Sequence, residues 1–216
     1  IASKLTCSGG KELGEVINQT WTYIYESLMT SNATGWDENQ LLRNNWLMSI
    51  DYNPKKWDGC DSIKGKYNLK QYKGKHEYLR NDIRDYVNLL KECCTAYCDI
   101  INPKRDGAFS RIYNDDTTKK RIVDMTVKIL RIGAVSSFMP VLFAVRVKYP
   151  DNYDVYFDYL SLCEKFAFRV YRCGEKRSNT GQTTLFKYGY EFYKDIAMAQ
   201  ETYDKIRSLL LYYAPN

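Results

Sequence analysis

Apolar residues recur every three or four positions along almost the whole chain, and no stretch alternates apolar and polar residues as a half-buried strand would. Near the start, this spacing predicts a helix from about residue 10 to residue 30. Its buried stripe comprises Leu13, Ile17, Trp21, Ile24 and Leu28. A chain of 216 residues can also bury a sizeable core. The spacing therefore predicts an all-α fold, an irregular multi-helix bundle.

Capping and helix-breaking residues place the ends of the other predicted helices. Asp37, with Gln40 three residues later, forms a capping-box pattern before a second helix that stops ahead of Pro54. Pro140 fits a helix only in its first turn, so a helix should open just before it. The remaining predicted helices span roughly 75–101, 117–133, 152–173 and, as one long or two shorter helices, 183–213.

The turn-forming residues 102–107, Asn-Pro-Lys-Arg-Asp-Gly, are the best candidate for a boundary within the chain. We therefore predict an N-terminal helical lobe at 1–102, with a lysine-rich loop at 55–75, and a C-terminal helical lobe at 103–216. The first residue is Ile1, and no signal-peptide pattern follows it. We expect the chain to be an internal fragment of a larger protein.

Composition and charge indicate the cellular compartment of the protein and the kinds of partner that it can bind. The longest apolar run, near residues 134–147, falls short of the roughly 20 residues that a membrane span needs. Seven cysteines lie mostly within apolar helical patterns, which favours buried thiols in a reducing compartment over a disulfide framework. The net charge of +6 is mild and allows a nucleic-acid partner without requiring one. We predict a cytoplasmic protein that does not bind a membrane.

Residues suited to catalysis or metal binding are scarce. His76 is the only histidine, and its neighbours Lys75 and Glu77 do not mark a partner nucleophile. Cys94 and Cys98 share a helical face but lack the second pair of ligands that a zinc site needs. We therefore predict no catalytic residue, no metal and no cofactor in this fragment, and we expect it to act by binding.

Residues 55–75 form the first of two basic groups. The segment holds seven lysines against two acids, and Tyr67 and Tyr72 lie among them. Lysines on a flexible segment can neutralise phosphates without distinguishing sequences, although a solvated charged loop explains the same pattern. The candidate nucleic-acid-binding residues of this group are Lys64, Lys66, Lys70, Lys73 and Lys75.

The end of the predicted helix 152–173 carries the second basic group. Four basic side chains spaced by four, three and four residues share one face, provided that helical geometry continues to residue 176. Two polar side chains extend the group into the following loop. Arginine and asparagine can contact phosphates or base edges at two points, but such residues can also balance a helix dipole. The candidate nucleic-acid-binding residues are Lys165, Arg169, Arg172, Lys176, Arg177 and Asn179.

Four segments carry a resemblance to a known family. They are Trp21-Thr22-Tyr23-Ile24-Tyr25-Glu26, Leu41-Leu42-Arg43-Asn44-Asn45-Trp46, residues 130–142 with their internal proline, and residues 166–172 followed by Arg177-Ser178-Asn179. In this order, over most of the chain, they resemble the helical middle region of GmrSD-type modification-dependent restriction endonucleases. The third segment resembles that family's helix-turn-helix, and Arg172, Arg177 and Asn179 match polar positions of the middle region.

The resemblance implies a non-catalytic module of a bacterial phage-defence endonuclease with NTP-linked activity. In that family, the middle region lies between a ParB/sulfiredoxin-like domain and an HNH-type nuclease domain. The family's Asp-Gly-Gln-Gln-Arg motif is absent here, and one histidine is too few for an HNH site. No catalytic residue of the family therefore carries over. The implied partners are the backbone of double-stranded DNA and the terminal domains of the parent chain.

Two other interpretations belong to different functional classes. The first is a scaffold for protein–protein interaction or dimerisation, in which the basic residues are merely solvated. The second is a small-molecule-binding bundle, for which the sequence indicates no convergent polar pocket.

Overall fold

The computed structural model of the chain describes residues 2–31, 35–113 and 115–215, with side chains described from residue 11 and, after the first gap, from residue 37. The helices are α1 (Ala2–Thr30), α2 (Gly35–Ser49), α3 (Gly59–Lys66), α4 (His76–Ile101), α5 (Asp116–Ile132), α6 (Met139–Lys148), α7 (Tyr153–Phe166), α8 (Gln182–Tyr193) and α9 (Ala199–Tyr213). A π-helical segment, Ala167–Cys173, continues α7. No strand occurs in the described residues, and the predicted all-α multi-helix bundle is confirmed.

The central helix is α6, which packs against α2, α4, α7 and α8. Every residue from Met139 to Arg146 is buried. Pro140 lies in the first turn, as the sequence predicts, because a proline there removes no intrahelical hydrogen bond. A helix that is apolar on all sides is stable only inside such a core, so the surrounding helices depend on α6 for their packing.

The longest helix pair is formed by α1 and α4, which pack along each other. The hydroxyl oxygens of Tyr23 and Thr95 lie 2.8 Å apart, and the Cys98 thiol donates to the carbonyl of Ser27 at 3.4 Å. The predicted stripe of α1 is buried, with every member of Leu13, Ile17, Trp21, Ile24 and Leu28 in the core. These contacts fix the α1–α4 edge of the bundle.

Both ends of α5 are set by local sequence. Asp115 caps its start by accepting hydrogen bonds from the backbone N–H groups of Thr117 and Thr118. The Thr118 hydroxyl accepts from the Asp115 backbone N–H and completes a capping box. Gly133 ends the helix with φ = 79°, a left-handed conformation that glycine adopts without steric cost.

Two predicted helix starts are wrong by several residues. α1 begins at Ala2 and not near residue 10, because one or two glycines cost a helix only about 1 kcal/mol each. α2 begins at Gly35, so Asp37 lies in its first turn and is not its N-cap. The Asp37 carboxylate instead accepts a hydrogen bond of 2.5 Å from the Tyr97 hydroxyl. A tertiary partner on α4 thus replaces the predicted local cap.

The lysine-rich segment 55–75 is more ordered than the predicted loop. It contains α3, which starts at Gly59, and the Ser62 hydroxyl accepts from the Asp58 backbone N–H at 2.7 Å across the start of that helix. Turns follow α3, and the Tyr72 hydroxyl donates to the Asp82 carboxylate at 2.6 Å. This bond holds the segment against the start of α4.

Contacts between the two predicted lobes pass through the connection after α4. Asp99 of α4 is 1% exposed and forms ion pairs with Arg105 of the connection and Arg146 of α6. Phe109, also in the connection, is buried and lies 6.0 Å from the Tyr156 ring between centroids. The division into lobes stays a prediction, but helices from both sides of residue 102 share one continuous core.

Six cysteines have described side chains, and all six are free thiols. Two are exposed, Cys60 and Cys173, and four are buried, Cys93, Cys94, Cys98 and Cys163. Burial raises the pKa of Cys93 to about 12, so this thiol is neutral at physiological pH. A neutral buried thiol is a poor nucleophile and a poor metal ligand. The buried cysteines pack as small apolar side chains.

Candidate nucleic-acid interface

The second basic group lies on the π-helical segment that follows α7. The backbone N–H of Gly174 donates to the carbonyl of Arg169 at 2.8 Å, five residues back, and that of Lys176 donates to Val170 at 3.1 Å. The predicted α-helical stripe from residue 165 to residue 176 is therefore wrong in its geometry, because a π-helical turn is wider. Such turns occur frequently at functional sites.

Two arginines of this group reach the C-terminal ends of neighbouring helices. Arg169 Nη2 donates to the backbone carbonyl of Ala214, just after α9, at 2.6 Å. Arg172 Nη2 donates to the carbonyls of Arg131 and Ile132 at the end of α5, at 3.3 and 3.2 Å. Cations at these positions satisfy carbonyls that lack intrahelical partners and balance the helix dipoles. The two arginines thus complement the dipoles of α9 and α5, and the interpretation that the group balances the dipole of its own helix stays a prediction.

The other members of the group project into solvent. In the described part of the chain, Lys165, Lys176 and Arg177 are exposed and form no ion pair. Arg131 is exposed as well, and the contact with Arg172 brings it beside the group. We refer to the following residues as the π-helix surface: Arg131, Lys165, Arg172, Lys176, Arg177 and Asn179.

The charge of this surface is strongly one-sided. Residues 165–179 contain five basic side chains and one acidic side chain, Glu175. Cations without acidic partners keep their positive field available for an external anion. The exposed cations of this segment are therefore available to an external anion such as a phosphate group.

An aromatic residue that the sequence did not single out lies within the same segment. The side chain of Phe168 is 50% exposed. Exposed aromatic rings beside cations provide stacking faces for nucleic-acid bases. Phe168 therefore adds an exposed aromatic ring to the basic group.

The loop that carries Arg177 and Asn179 is anchored through its backbone. Ser137 donates its hydroxyl to the carbonyl of Ser178 at 2.8 Å, and the Tyr171 hydroxyl donates to Thr180 at 3.0 Å. Gln182, at the start of α8, donates to the Ser137 hydroxyl at 3.1 Å. The loop backbone is fixed while its basic side chains remain free to reach a ligand.

The lysines of segment 55–75 divide into paired and unpaired members. Lys64 forms an ion pair with Asp61 at 2.6 Å, and Lys66 lies 5.4 Å from the ring centroid of Tyr67. Lys75 likewise lies 5.5 Å from the ring centroid of Tyr78. It is exposed, as are Lys70 and Lys73, and none of these three lysines forms an ion pair within the described residues. The group could therefore supply a second, smaller set of phosphate contacts.

The two basic groups lie at opposite ends of α8. The π-helix surface adjoins the start of α8 through Ser137 and Gln182. At the other end, Lys66 and Lys194 line one small cavity with Tyr193. Burial, and then the nearby charge of Lys66, lower the pKa of Lys194. Because α8 has 12 residues, its ends are separated by roughly 18 Å.

Features that would indicate catalysis, metal binding or an interaction scaffold are less pronounced than the exposed cations of the π-helix surface. His76, at the start of α4, is exposed. No cluster of three or more histidine, cysteine or acidic side chains suited to a metal ion occurs among the described residues. The most exposed apolar side chains of α9 and its preceding loop, Met198 and Tyr212, lie at opposite ends of that helix. These two side chains therefore do not belong to one apolar patch.

Comparison with known proteins found no similar family model, no similar curated protein and no similar solved structure. Among the helices that the structure describes, none has the length and apolar character required to cross a membrane.

Proposed function

We propose that this chain is a helical module that binds the phosphate backbone of DNA through the π-helix surface. The observation that carries this proposal is the set of exposed cations without acidic partners around residues 165–179. Lysine and arginine contacts to phosphates provide most of the affinity of sequence-independent binding. Lys165, Lys176 and Arg177 would contact phosphates, and the exposed ring of Phe168 would stack on a base at an end or an unpaired position.

Arg169 and Arg172 have a different role in this proposal. Both donate to the ends of neighbouring helices, so they hold the π-helical segment in place. Arg172 is exposed and can also reach a phosphate with its remaining N–H groups. Lys70, Lys73 and Lys75 would add contacts of lower importance, because they lie near the far end of α8.

The sequence resemblance extends the proposal to a biological setting. We propose that the module belongs to a GmrSD-type, modification-dependent restriction endonuclease of bacterial phage defence. In that setting, it would act in the cytoplasm, without chemistry or a cofactor of its own, and would hold the catalytic domains of the parent chain relative to the DNA. The competing proposal is a protein-interaction or dimerisation scaffold, which predicts no DNA binding.

Charge reversal of Lys176 and Arg177 tests the DNA-binding proposal. We expect the double variant Lys176→Glu, Arg177→Glu to bind a labelled 30-base-pair duplex about 10- to 100-fold more weakly at low salt, because two phosphate contacts become repulsive. Neither side chain makes a hydrogen bond or ion pair in the described structure, so the melting temperature should stay within about 2 °C. Fluorescence anisotropy and thermal melting measure the two quantities.

The matched control reverses two exposed lysines elsewhere, Lys11 on α1 and Lys104 in the connection after α4. This variant has the same net charge as the test variant and should keep most of the wild-type affinity. Equal losses in the two variants would show that binding follows net charge alone, and the π-helix surface would lose its proposed role.

A further inference from the structure

A cavity of about 560 Å³ lies on a different part of the molecule, between α1, α4, the connection after α4 and the end of α6. Its size falls within the range of small-molecule binding sites. Three cations line it, Lys91, Arg111 and Arg146, against one acid, Glu92. The sequence did not indicate this cavity, because its cations come from three separate segments of the chain.

Arg146 is the central residue of the cavity. Its side chain is 7% exposed, yet it lines the cavity wall. The guanidinium carries five N–H groups, and its hydrogen bond to Asp99, at 3.1 Å, uses one of them. The aromatic rings of Phe109 and Tyr156 lie 5.9 and 5.4 Å from the guanidinium carbon and hold the group in position. A buried, fixed guanidinium at a cavity wall is suited to an anionic group.

The charges around Arg146 leave an excess of positive charge. Asp99 is shared between Arg105 and Arg146, so the buried cluster of two cations and one anion carries a net charge of +1. Lys91 Nζ lies 5.0 Å from the ring centroid of Tyr23, at the cavity wall. Arg111 pairs with the exposed carboxylate of Asp151 at 3.4 Å, a weak contact that a ligand can replace.

We propose that this cavity binds a small phosphate-bearing molecule. Its phosphate would accept hydrogen bonds from Arg146 and Arg111, and Lys91 would neutralise the remaining charge. Asn88 and Thr95 also line the cavity and can contact neutral polar groups of the same ligand. The site is separate from the π-helix surface, because Arg146 lies near the end of α6 while Ser137 precedes its start.

Calorimetric titration with pyrophosphate, at ionic strength held constant with sodium chloride, tests the proposal. We expect saturable binding by the wild-type chain and about tenfold weaker binding by each of two variants, because Arg111→Ala removes a charge-assisted hydrogen bond and Lys91→Ala removes a neutralising charge. Glu92→Gln should bind about threefold more tightly, because it removes the one acid from the wall. Since both alanine variants remove exposed side chains, they should fold normally.

Two controls separate this site from a general attraction of anions. Arg80→Ala, an exposed position on the same helix as Lys91, and the Lys176→Glu, Arg177→Glu variant should both bind pyrophosphate as the wild type does. The proposal is overturned if pyrophosphate does not bind, if Lys91→Ala and Arg111→Ala bind it normally, or if the π-helix variant loses it. It is also overturned if a 5′-phosphorylated oligonucleotide displaces pyrophosphate and its unphosphorylated form does not, since the cavity would then hold a nucleic-acid end.

Discussion

The variant Asp99→Ala is expected to lower the free energy of unfolding by about 3–5 kcal/mol. The Asp99 carboxylate accepts hydrogen bonds from Arg105 at 2.6 Å and from Arg146 at 3.1 Å, inside the core. Removing it leaves the Arg146 charge buried without a compensating anion. Arg105, which is one-quarter exposed, can turn to water, so most of the loss comes from Arg146. Urea denaturation followed by circular dichroism measures the change.

An exposed ion pair provides the control for this prediction. Asp151 pairs with Arg111 at 3.4 Å on the surface, and Asp151→Ala should cost about 1 kcal/mol or less. The double variant Asp99→Leu, Arg146→Met should recover much of the stability, because it removes both charges together. If the free energy of unfolding of Asp99→Ala lies within about 1 kcal/mol of the wild-type value, the buried network does not hold α4, the connection and α6 together.

The second large effect is expected at Gly189, where α8 crosses α6. A Cβ atom at this position would lie 2.9 Å from the carbonyl carbon of Pro140 and 2.9 Å from the backbone nitrogen of Val141. Backbone atoms of a central buried helix cannot move aside as a flexible side chain would. Gly189→Ala should therefore lower stability by about 1–3 kcal/mol, although alanine favours helix formation.

Gly65→Ala serves as the control, because its expected effect on stability has the opposite sign. It lies within α3, and a Cβ atom there would meet no atom within 4 Å. Gly65→Ala should raise stability by about 0.5–1 kcal/mol, because alanine loses less backbone entropy on folding. If Gly189→Ala is as stable as Gly65→Ala, the close approach of α6 and α8 is not required for the fold.

Features fixed by neighbouring residues could be predicted from the sequence. α5 starts within two residues of the expected position because Asp115 and Thr118 cap it locally, and it ends at Gly133 because only glycine fits there easily. The buried stripe of α1 and the position of Pro140 in α6 were predicted for the same reason. The stripe follows from the spacing of apolar residues, and the proline position follows from proline's conformational preference. Both can be recognised in the sequence without a structure.

Features that depend on distant contacts could not be predicted. Arg169 and Arg172, in the π-helical turn at 167–173, contact helix ends about 40 residues away in sequence. No local sequence pattern predicts these contacts. The exposed ring of Phe168 is likewise not marked by any local sequence pattern. The cavity at Arg146 was missed because tertiary packing brings its cations together from α4, α6 and the connection.

The measurement that tests the central proposal most directly is the salt dependence of DNA binding by the wild-type chain. Four phosphate contacts predict a slope of about −3.6 for the logarithm of affinity against the logarithm of salt concentration. Binding of a 30-base-pair duplex should then weaken about 100-fold between roughly 50 and 200 mM salt. Absence of binding at the lower salt, or an affinity that does not change with salt, would contradict the proposed DNA contact and favour the interaction scaffold.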